Sequence, residues 1–441
     1  MKSVYFIPSN RNIEKCLTSY MKEIDFAQKK YGIHIPIVVP ETNDKEFVAQ
    51  NARTINLLQE KYPKIEILHL TTKLQEAYFD ILLAGEDPEF KKVFLAQQTD
   101  YGNCMNKLFL MTCSLGADAL HRRDSDTRLI FDELKAEELY PIELELNYLG
   151  KRISDCSNIT INTADKSILN REIWVVGGNY YGEWNLDVRD FARVSFDPIY
   201  RLYELLGFPK ESVVDICNTA FQLDQQFTQE ENQTLVTSVN DGLNPDCGNV
   251  AVYKLHEKLP NLPGRNTAAA DYFAFDTATA LGIPSIHHTR EVFHEYKKDE
   301  FQLDNKIKYW EGVSKFADYF NAYMSIYDSD LNKTFGPDRK EVITNDIVQA
   351  IKSYVSEFSK LGVHERVERI DRIANEVLIP FDEKYSQVGD YIIEHSEQLV
   401  REANQEYEFH VKLIENWDRL IQRAKEIDLR KVADSNSVAN T

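Results

Sequence analysis

No stretch of the chain is apolar for anything near the length of a membrane span. The opening Met1-Lys2-Ser3-Val4-Tyr5-Phe6-Ile7-Pro8 enters a strand-like segment with no leader-type apolar core. The expectation is a soluble, cytoplasmic protein without a transmembrane segment. Positive charge is scarce, with 51 Lys and Arg against 71 Asp and Glu, a formal net charge of −20. A surface this acidic repels phosphate backbones, which argues against nucleic acid as a partner, and it disfavours docking on anionic lipid. An anionic small molecule is still allowed, because a metal ion and a few arginines can invert the field inside one cleft. The cysteines, Cys16, Cys104, Cys113, Cys156, Cys217 and Cys247, are widely spaced, with no C-x-x-C and no Cys/His cluster in the sequence. They read as free thiols in a reducing compartment, against a disulfide frame or a zinc knuckle. Missing too are G-x-G-x-x-G, a P-loop, G-x-S-x-G, H-E-x-x-H, internal repeats and low-complexity tracts.

What remains is 441 residues of globular composition, 43% hydrophobic and 28% charged, enough for a substantial core in two or three domains. In the first third, short apolar runs alternate with amphipathic stretches. Strands are expected at Val4–Ile7, Ile35–Val39, Ile65–Leu70 and Ala117–His121. Helices are expected over Ile13–Lys30, Phe47–Tyr62 and Asn103–Ser114, the last ended by Gly116. This alternation predicts βαβ units and a mostly parallel sheet, with ligands bound beyond the carboxyl ends of its strands. Asn10-Arg11 and Asp124-Ser125-Asp126 fall at two such ends. The middle is less regular: a strand followed by a Gly/aromatic loop at Trp174–Gly182, a short strand at Asn249–Tyr253, a helix over Asp271–Leu281 and an extended run at Ile286–Phe293. From Phe301, Gly and Pro nearly vanish and amphipathic stretches cover 302–328, 338–361, 365–378, 381–402 and 405–430. These predict an α-helical C-terminal domain, with Phe409, Leu413, Trp417, Leu420 and Ile421 as its packed face.

Two carboxylates separated by one residue, where a strand breaks into a turn, can address one divalent cation. Oxygen ligands suit Mg²⁺ or Mn²⁺, and substrate phosphates can complete the shell. Such an ion neutralises a diphosphate leaving group. Arg122 and Arg123 stand just before these acids on a strand expected to be buried. Each therefore needs a partner: a diphosphate, the aspartates, or a structural counter-ion.

The segment Tyr101-Gly102-Asn103-Cys104-Met105-Asn106-Lys107, an apolar helix, Gly116-Ala117 and a strand into Asp124-Ser125-Asp126 together resemble the family-2-like GT-A glycosyltransferases. So do Ile7-Pro8-Ser9-Asn10-Arg11 after the first strand and Val38-Val39-Pro40-Glu41-Thr42-Asn43-Asp44 at the second, where Pro40 replaces the usual first acid. Asp246-Cys247-Gly248-Asn249-Val250-Ala251-Val252-Tyr253-Lys254 resembles the family's acceptor-side strand. Ala270-Asp271-Tyr272 resembles its E-D motif, with Ala270 where Glu is common. Glu291-Val292-Phe293-His294-Glu295-Tyr296 resembles a V-x-H-E ending. The likeness covers roughly residues 1–300 and leaves the helical tail outside.

The resemblance implies a GT-A (Rossmann-like) α/β domain over 1–300, with a nucleotide-sugar and metal half (1–130) and an acceptor half (131–300). A helical domain (301–432) and a tail (433–441) follow. It implies a metal-dependent transfer of a hexose-type sugar from a UDP- or GDP-sugar to a hydroxyl acceptor, with Asp271 as general base of an inverting displacement. Asp124, Asp126 and His294, with His288 as competitor for the imidazole, are the expected ligands of Mn²⁺ or Mg²⁺. Pro8, Asn10, Arg11, Glu41, Asn106, Lys107, Arg123 and Ser125 are the expected donor contacts. Asn179, Tyr180, Trp184 and Asn249 are the expected acceptor contacts, the aromatics as a platform for sugar faces. A retaining mechanism, a nucleotidyltransferase on a similar sheet, and a non-catalytic nucleotide-binding scaffold are the alternatives. For the helical tail, its pattern leaves open both a homo-oligomer and a clamp on the acceptor.

Overall fold

The structure, a computed structural model, describes residues 1–42, 47–96, 99–132, 137–223, 230–239, 243–295, 302–328, 343–358 and 360–437. Asn43, Asp44, Tyr296, Phe301, the stretch 338–342 and the tail end 438–441, all part of the sequence reading, lie outside the described residues.

Strands β1 (Ser3–Phe6), β2 (Ile37–Pro40), β3 (Ile67–Leu70) and β4 (Ala119–Arg123) alternate with helices α1 (Glu14–Tyr31), α2 (Val48–Lys61), α3 (Thr72–Leu82), α4 (Pro88–Phe94) and α5 (Tyr101–Ser114). They pair in parallel in the order β3-β2-β1-β4. β1 and β2 are buried throughout, which is why they read as unbroken apolar runs rather than alternations. Gly116 takes the left-handed φ of 62° just past α5, so the chain can reverse into β4.

Beyond β4 the sheet becomes mixed. β10 (Asn249–Tyr253) runs antiparallel to β4, and β8 (Val175–Gly182) antiparallel to β10. β11 (Ser285–His294) is parallel to β8, while β5 (Thr127–Leu129) and β9 (Gln233–Val236) lie antiparallel to β11. A separate ribbon pairs β6 (Phe131–Asp132) with β7 (Glu137–Glu138). The Gly177–Tyr181 stretch, expected as a loop, is strand. Its glycines serve close approach rather than turning: a Cβ on Gly177 would lie 2.3 Å from the Asn249 carbonyl oxygen, and one on Gly178 2.6 Å from that of His288. The expected helix at Asp271 begins as a 3₁₀ turn, Ala270–Tyr272, and continues as Phe273–Ala280.

The C-terminal part is helical, with Leu303–Tyr327, Asn345–Phe358, Val363–Ile373, a π turn at Ala374–Leu378, Glu383–Glu426 and Leu429–Ser437. The two stretches expected at 381–402 and 405–430 form one helix of 44 residues. Ala403 at the expected break is a strong helix former and is buried, so nothing interrupts the turn. Phe409, Leu413, Trp417, Leu420 and Ile421 are all buried, as packing residues should be. One apolar cluster runs from β1, β4 and β10 through α5 into these helices. Polar bonds cross the same boundary, with Ser114 Oγ donating to the Ala424 carbonyl at 2.7 Å and Trp417 Nε1 to that of His256 at 3.1 Å. A second cluster packs α1 on the other face of the sheet.

The strand directions position the site. β1, β4, β8 and β11 all point the same way, because β10 reverses relative to both β4 and β8. Their carboxyl ends, and the amino end of β10, therefore meet at one edge of the sheet, where open α/β sheets place ligands.

Candidate active site

At that edge the turn after β4 is fixed first. The backbone N–H and Oγ1 of Thr127 donate to the Asp124 carbonyl at 3.0 and 2.7 Å, and Tyr20 shares a bond of 2.7 Å with the same hydroxyl. The turn leaves the two aspartates in different company. Asp124 Oδ1 accepts from Arg122 Nε and Nη2 at 3.2 and 3.0 Å, and its Oδ2 accepts from the Tyr180 hydroxyl at 2.6 Å. Asp126 Oδ2 faces Arg11 Nη1 at 2.8 Å and His294 Nε2 at 3.6 Å.

Asp271 arrives from the turn before Phe273–Ala280 and is 4% exposed. Its Oδ2 accepts from Arg122 Nη1 at 2.8 Å. Cys247, beside it, has its thiol pushed well up, by burial first and then by the Asp271 charge. Gly248 lies across from Asp124, and its N–H donates to the Tyr180 hydroxyl at 2.9 Å. A Cβ there would sit 2.2 Å from the Tyr180 hydroxyl and 2.5 Å from Asp124 Cγ, so this position admits only glycine without displacement.

His294 ends β11, its ring 4.6 Å from that of Tyr180. Its Nδ1 lies 2.8 Å from the Glu183 carbonyl, which can only accept. Nδ1 therefore carries hydrogen, and Nε2 is the atom turned to Asp126. Burial opposes charge on both groups, but their mutual bond outweighs it. The imidazole pKa is raised, and the Asp126 carboxyl, helped also by Arg11, is lowered. The donors suit Mn²⁺ or Mg²⁺ in kind, one carboxylate oxygen and one imidazole nitrogen directed at each other. Asp124 does not complete a three-ligand set with them. Among the described residues, the cluster of three metal-ligating side chains within 4.8 Å of one another lies elsewhere, at Cys113, His256 and Glu257. A hard cation here fits Asp126 and His294, with phosphate oxygens and water for the rest of its shell.

The remaining expected residues divide. Ser125 is in the turn, and Pro8, Asn10 and Arg11 follow β1 at the same edge, Asn10 exposed. Arg123 is not at the edge. Alternation along β4 sends Arg122 toward Asp271 and Arg123 to the opposite face. There Arg123 is fully buried, 2.9 Å from Glu145 and 3.4 Å from Glu23, with His121 on Glu145 at 2.6 Å. His288 belongs to that face too, fully buried against Gly178 and joined to Asp124 and Asp126 by no described hydrogen bond or ion pair. Glu41 is committed to Asn51 at 3.0 Å and His69 at 2.8 Å. Asn106 is held in a reciprocal pair with the backbone of Asn261, at 2.9 and 2.7 Å. Lys107 is half-buried beside the Phe79 ring, and desolvation there lowers its pKa.

Of the acceptor-side residues, Tyr180 is at the cluster. Asn249 is buried and donates to the carbonyls of Asn179 and Arg290 at 3.2 and 3.1 Å. Trp184 is packed edge-on against Phe221, with Arg189 over its ring. Sequence reasoning overlooked Asp246, which accepts from the Tyr180 N–H at 2.7 Å and the Tyr272 hydroxyl at 3.0 Å. It also overlooked Glu291, whose carboxyl is pushed up to about 7 by burial and then by Asp246. Asp246 sits beside a Cys-Gly-Asn turn, the one sequence signal that could have found it.

The chain belongs to the family DUF6271. That family is described as one of unknown function, and its sequence model matches residues 3–433, so the sheet, the carboxylate cluster and the C-terminal helices fall within one family unit. No curated protein matches the chain. Among solved structures it is similar to the mannosyltransferase PcManGT from Pyrobaculum calidifontis in complex with GDP-Man and Mn²⁺, at TM-score 0.38 and 12% identity over 91% of this chain and 86% of that one. It is similar also to glucosyl-3-phosphoglycerate synthase from Mycobacterium tuberculosis in complex with Mn²⁺, UDP-glucose and phosphoglyceric acid, at TM-score 0.35 and 11% identity over 73% and 80%. A third is S. aureus TarS 1-349, at TM-score 0.33 and 10% identity over 93% and 92%. Likenesses this loose carry no argument, and the functional reading rests on the residues at the sheet edge. No helix among the described residues is long and apolar enough to cross a membrane.

Proposed function

We propose that this DUF6271 protein is a GT-A-type glycosyltransferase that moves a sugar from a nucleoside diphosphate to a hydroxyl acceptor. The observation that carries the reading is the meeting of Arg11, Arg122, Asp124, Asp126, Tyr180, Asp271 and His294, from five separate segments, at the carboxyl edge of the sheet. One buried and two half-buried carboxylates with two arginines and an imidazole are an arrangement for handling a polyanion and a proton together.

In this reading the acceptor oxygen attacks C1 of the donor sugar. The bond from C1 to the diphosphate breaks with its electron pair on the phosphate oxygen, and the hydroxyl proton passes to the Asp271 carboxylate. A single displacement of this kind inverts the anomeric centre. Arg122 holds Asp271 and Asp124 at fixed positions, and Tyr180 orients Asp124 from the other side. Arg11, with Pro8, Asn10 and Ser125, faces the donor. Mn²⁺ or Mg²⁺ bound through Asp126 and His294 would neutralise charge on the departing diphosphate.

The test is release of nucleoside diphosphate from UDP- and GDP-sugars in the presence of Mn²⁺ and a panel of hydroxyl acceptors. Turnover of one donor, abolished by Asp271→Asn, supports the reading. Pyrophosphate release from a nucleoside triphosphate and a sugar phosphate would replace it with nucleotidyl transfer. Binding of a nucleotide without any turnover would replace it with a scaffold.

A further inference from the structure

We propose that Cys113, His256 and Glu257 form a second metal site, for a zinc-type cation, at the sheet edge opposite the carboxylate cluster. It is independent of the transfer reading. Cys113 lies in the last turn of α5. His256 and Glu257 form the 3₁₀ turn Leu255–Glu257 just after β10. The sequence separates them widely, and β10 lying against β4 brings them together. One ligand atom from each lies within 4.8 Å of the other two.

The second observation is the imidazole itself. His256 is fully buried, and neither ring nitrogen has a hydrogen-bond partner among the described residues. Buried polar atoms of this kind ordinarily find partners, and each exception in a native fold calls for a reason. Burial drives its pKa down to about 4, so the ring is neutral at physiological pH, the form that ligates a metal. The Cys113 thiol is pushed up to about 12 by burial, so binding must expel its proton: the S–H bond breaks, the sulfur keeps the pair to bond the metal, and the proton leaves to solvent.

The donors choose the ion. Thiolate and imidazole select Zn²⁺ over Mg²⁺ or Mn²⁺. One thiolate and one carboxylate cancel the charge of a divalent ion, which suits a buried position. The place also assigns a role. Lys425 Nζ is 2.8 Å from Glu257, and Trp417 Nε1 donates to the His256 carbonyl, both from the helix Glu383–Glu426. The metal would thus lock the long C-terminal helix onto the lower edge of the sheet, away from the reacting groups.

The experiment titrates Co²⁺ into chelator-treated full-length protein and follows the near-ultraviolet thiolate-to-cobalt charge-transfer band, with Tm recorded before and after Zn²⁺ is restored. Wild type and Asp126→Ala are expected to show the band at one equivalent and to regain Tm with Zn²⁺. Cys113→Ser is expected to lose the band. Glu257→Gln, whose side chain is only partly buried, serves if the cysteine variant does not fold, and is expected to weaken Co²⁺ binding at least about tenfold. A wild-type protein with no band and no Tm response, a band that survives in Cys113→Ser, or unchanged affinity in Glu257→Gln overturns the proposal.

Discussion

Arg122 donates from Nη1 to Asp271 Oδ2 at 2.8 Å while its Nη2 donates to Asp124 Oδ1 at 3.0 Å. One buried guanidinium thus spans the acid that follows β4 and the acid placed 149 residues beyond the arginine. Removing it would leave both carboxylates without their shared cation. Arg122→Met is expected to cost about 3–5 kcal/mol in a urea melt, the usual penalty for breaking a buried pair from one side.

Asp271→Asn keeps the volume and a hydrogen bond to Arg122. Arg122 keeps Asp124 but loses one of its two counter-charges, so stability is expected to fall by about 1–3 kcal/mol, while steady-state turnover falls by about 10²–10⁴-fold, the range of a lost general base. Turnover within a few fold of wild type would assign the base elsewhere.

Gly248 has no room for a side chain between Tyr180 and Asp124. Gly248→Ala is expected to push Tyr180 from Asp124, costing roughly 1–3 kcal/mol as overpacking does and weakening donor binding more than acceptor binding. Thermal melts and donor KM measure the two effects. An alanine that changes neither would mean that the Tyr180–Asp124 contact is dispensable.

Arg123 is expected to matter to folding and not to chemistry. Glu145→Gln removes charge from its buried network and should destabilise by about 3 kcal/mol or more, with donor affinity in the folded protein unchanged. A loss of donor affinity at full stability would return Arg123 to the donor site.

Glu406 and Asp100 should together contribute a stability that falls as pH rises from about 4 to 7. Glu406, buried between Lys315, Thr267 and the Arg265 N–H, has its carboxyl pushed up to about 7 by burial, and Asp100 nearby is pushed up to about 6 by the same cause. Folded pKa values above the unfolded ones mean that the proton favours the fold. The contribution is complete below the unfolded values near 4 and is lost as pH passes through 6 to 7, up to about 3 kcal/mol for Glu406. Glu406→Gln should lose this contribution, so that the wild-type Tm falls relative to the variant's as pH rises over this window. A wild-type curve that rises with pH relative to Glu406→Gln would contradict it.

Much of the parallel block was legible because its signals are local: apolar runs buried on both faces, Gly116 past α5, and acids at a strand end. The joining of Asp126 to Arg11 and His294 could be expected from chain order and resemblance. What sequence could not give was the side of the sheet. Arg122 and Arg123 are neighbours with identical chemistry, and only strand parity separates a site residue from a buried counter-ion. The same holds for His288 and His294, between which β11 shifts register. Gly177 and Gly178 misled because a glycine needed for close strand packing looks like one needed for a turn. The Cys113–His256–Glu257 cluster was invisible because β10 folds back beside β4 only in three dimensions.

Asp126 and His294 are proposed to lie at a metal-assisted diphosphate site. The most direct measurement is calorimetric binding of UDP, GDP, ADP and TDP, each with and without Mn²⁺, to wild type and to Asp126→Ala. One diphosphate is expected to bind tightly, only with Mn²⁺, and not to the variant. Binding indifferent to both the metal and the substitution, or no binding at all, would contradict it.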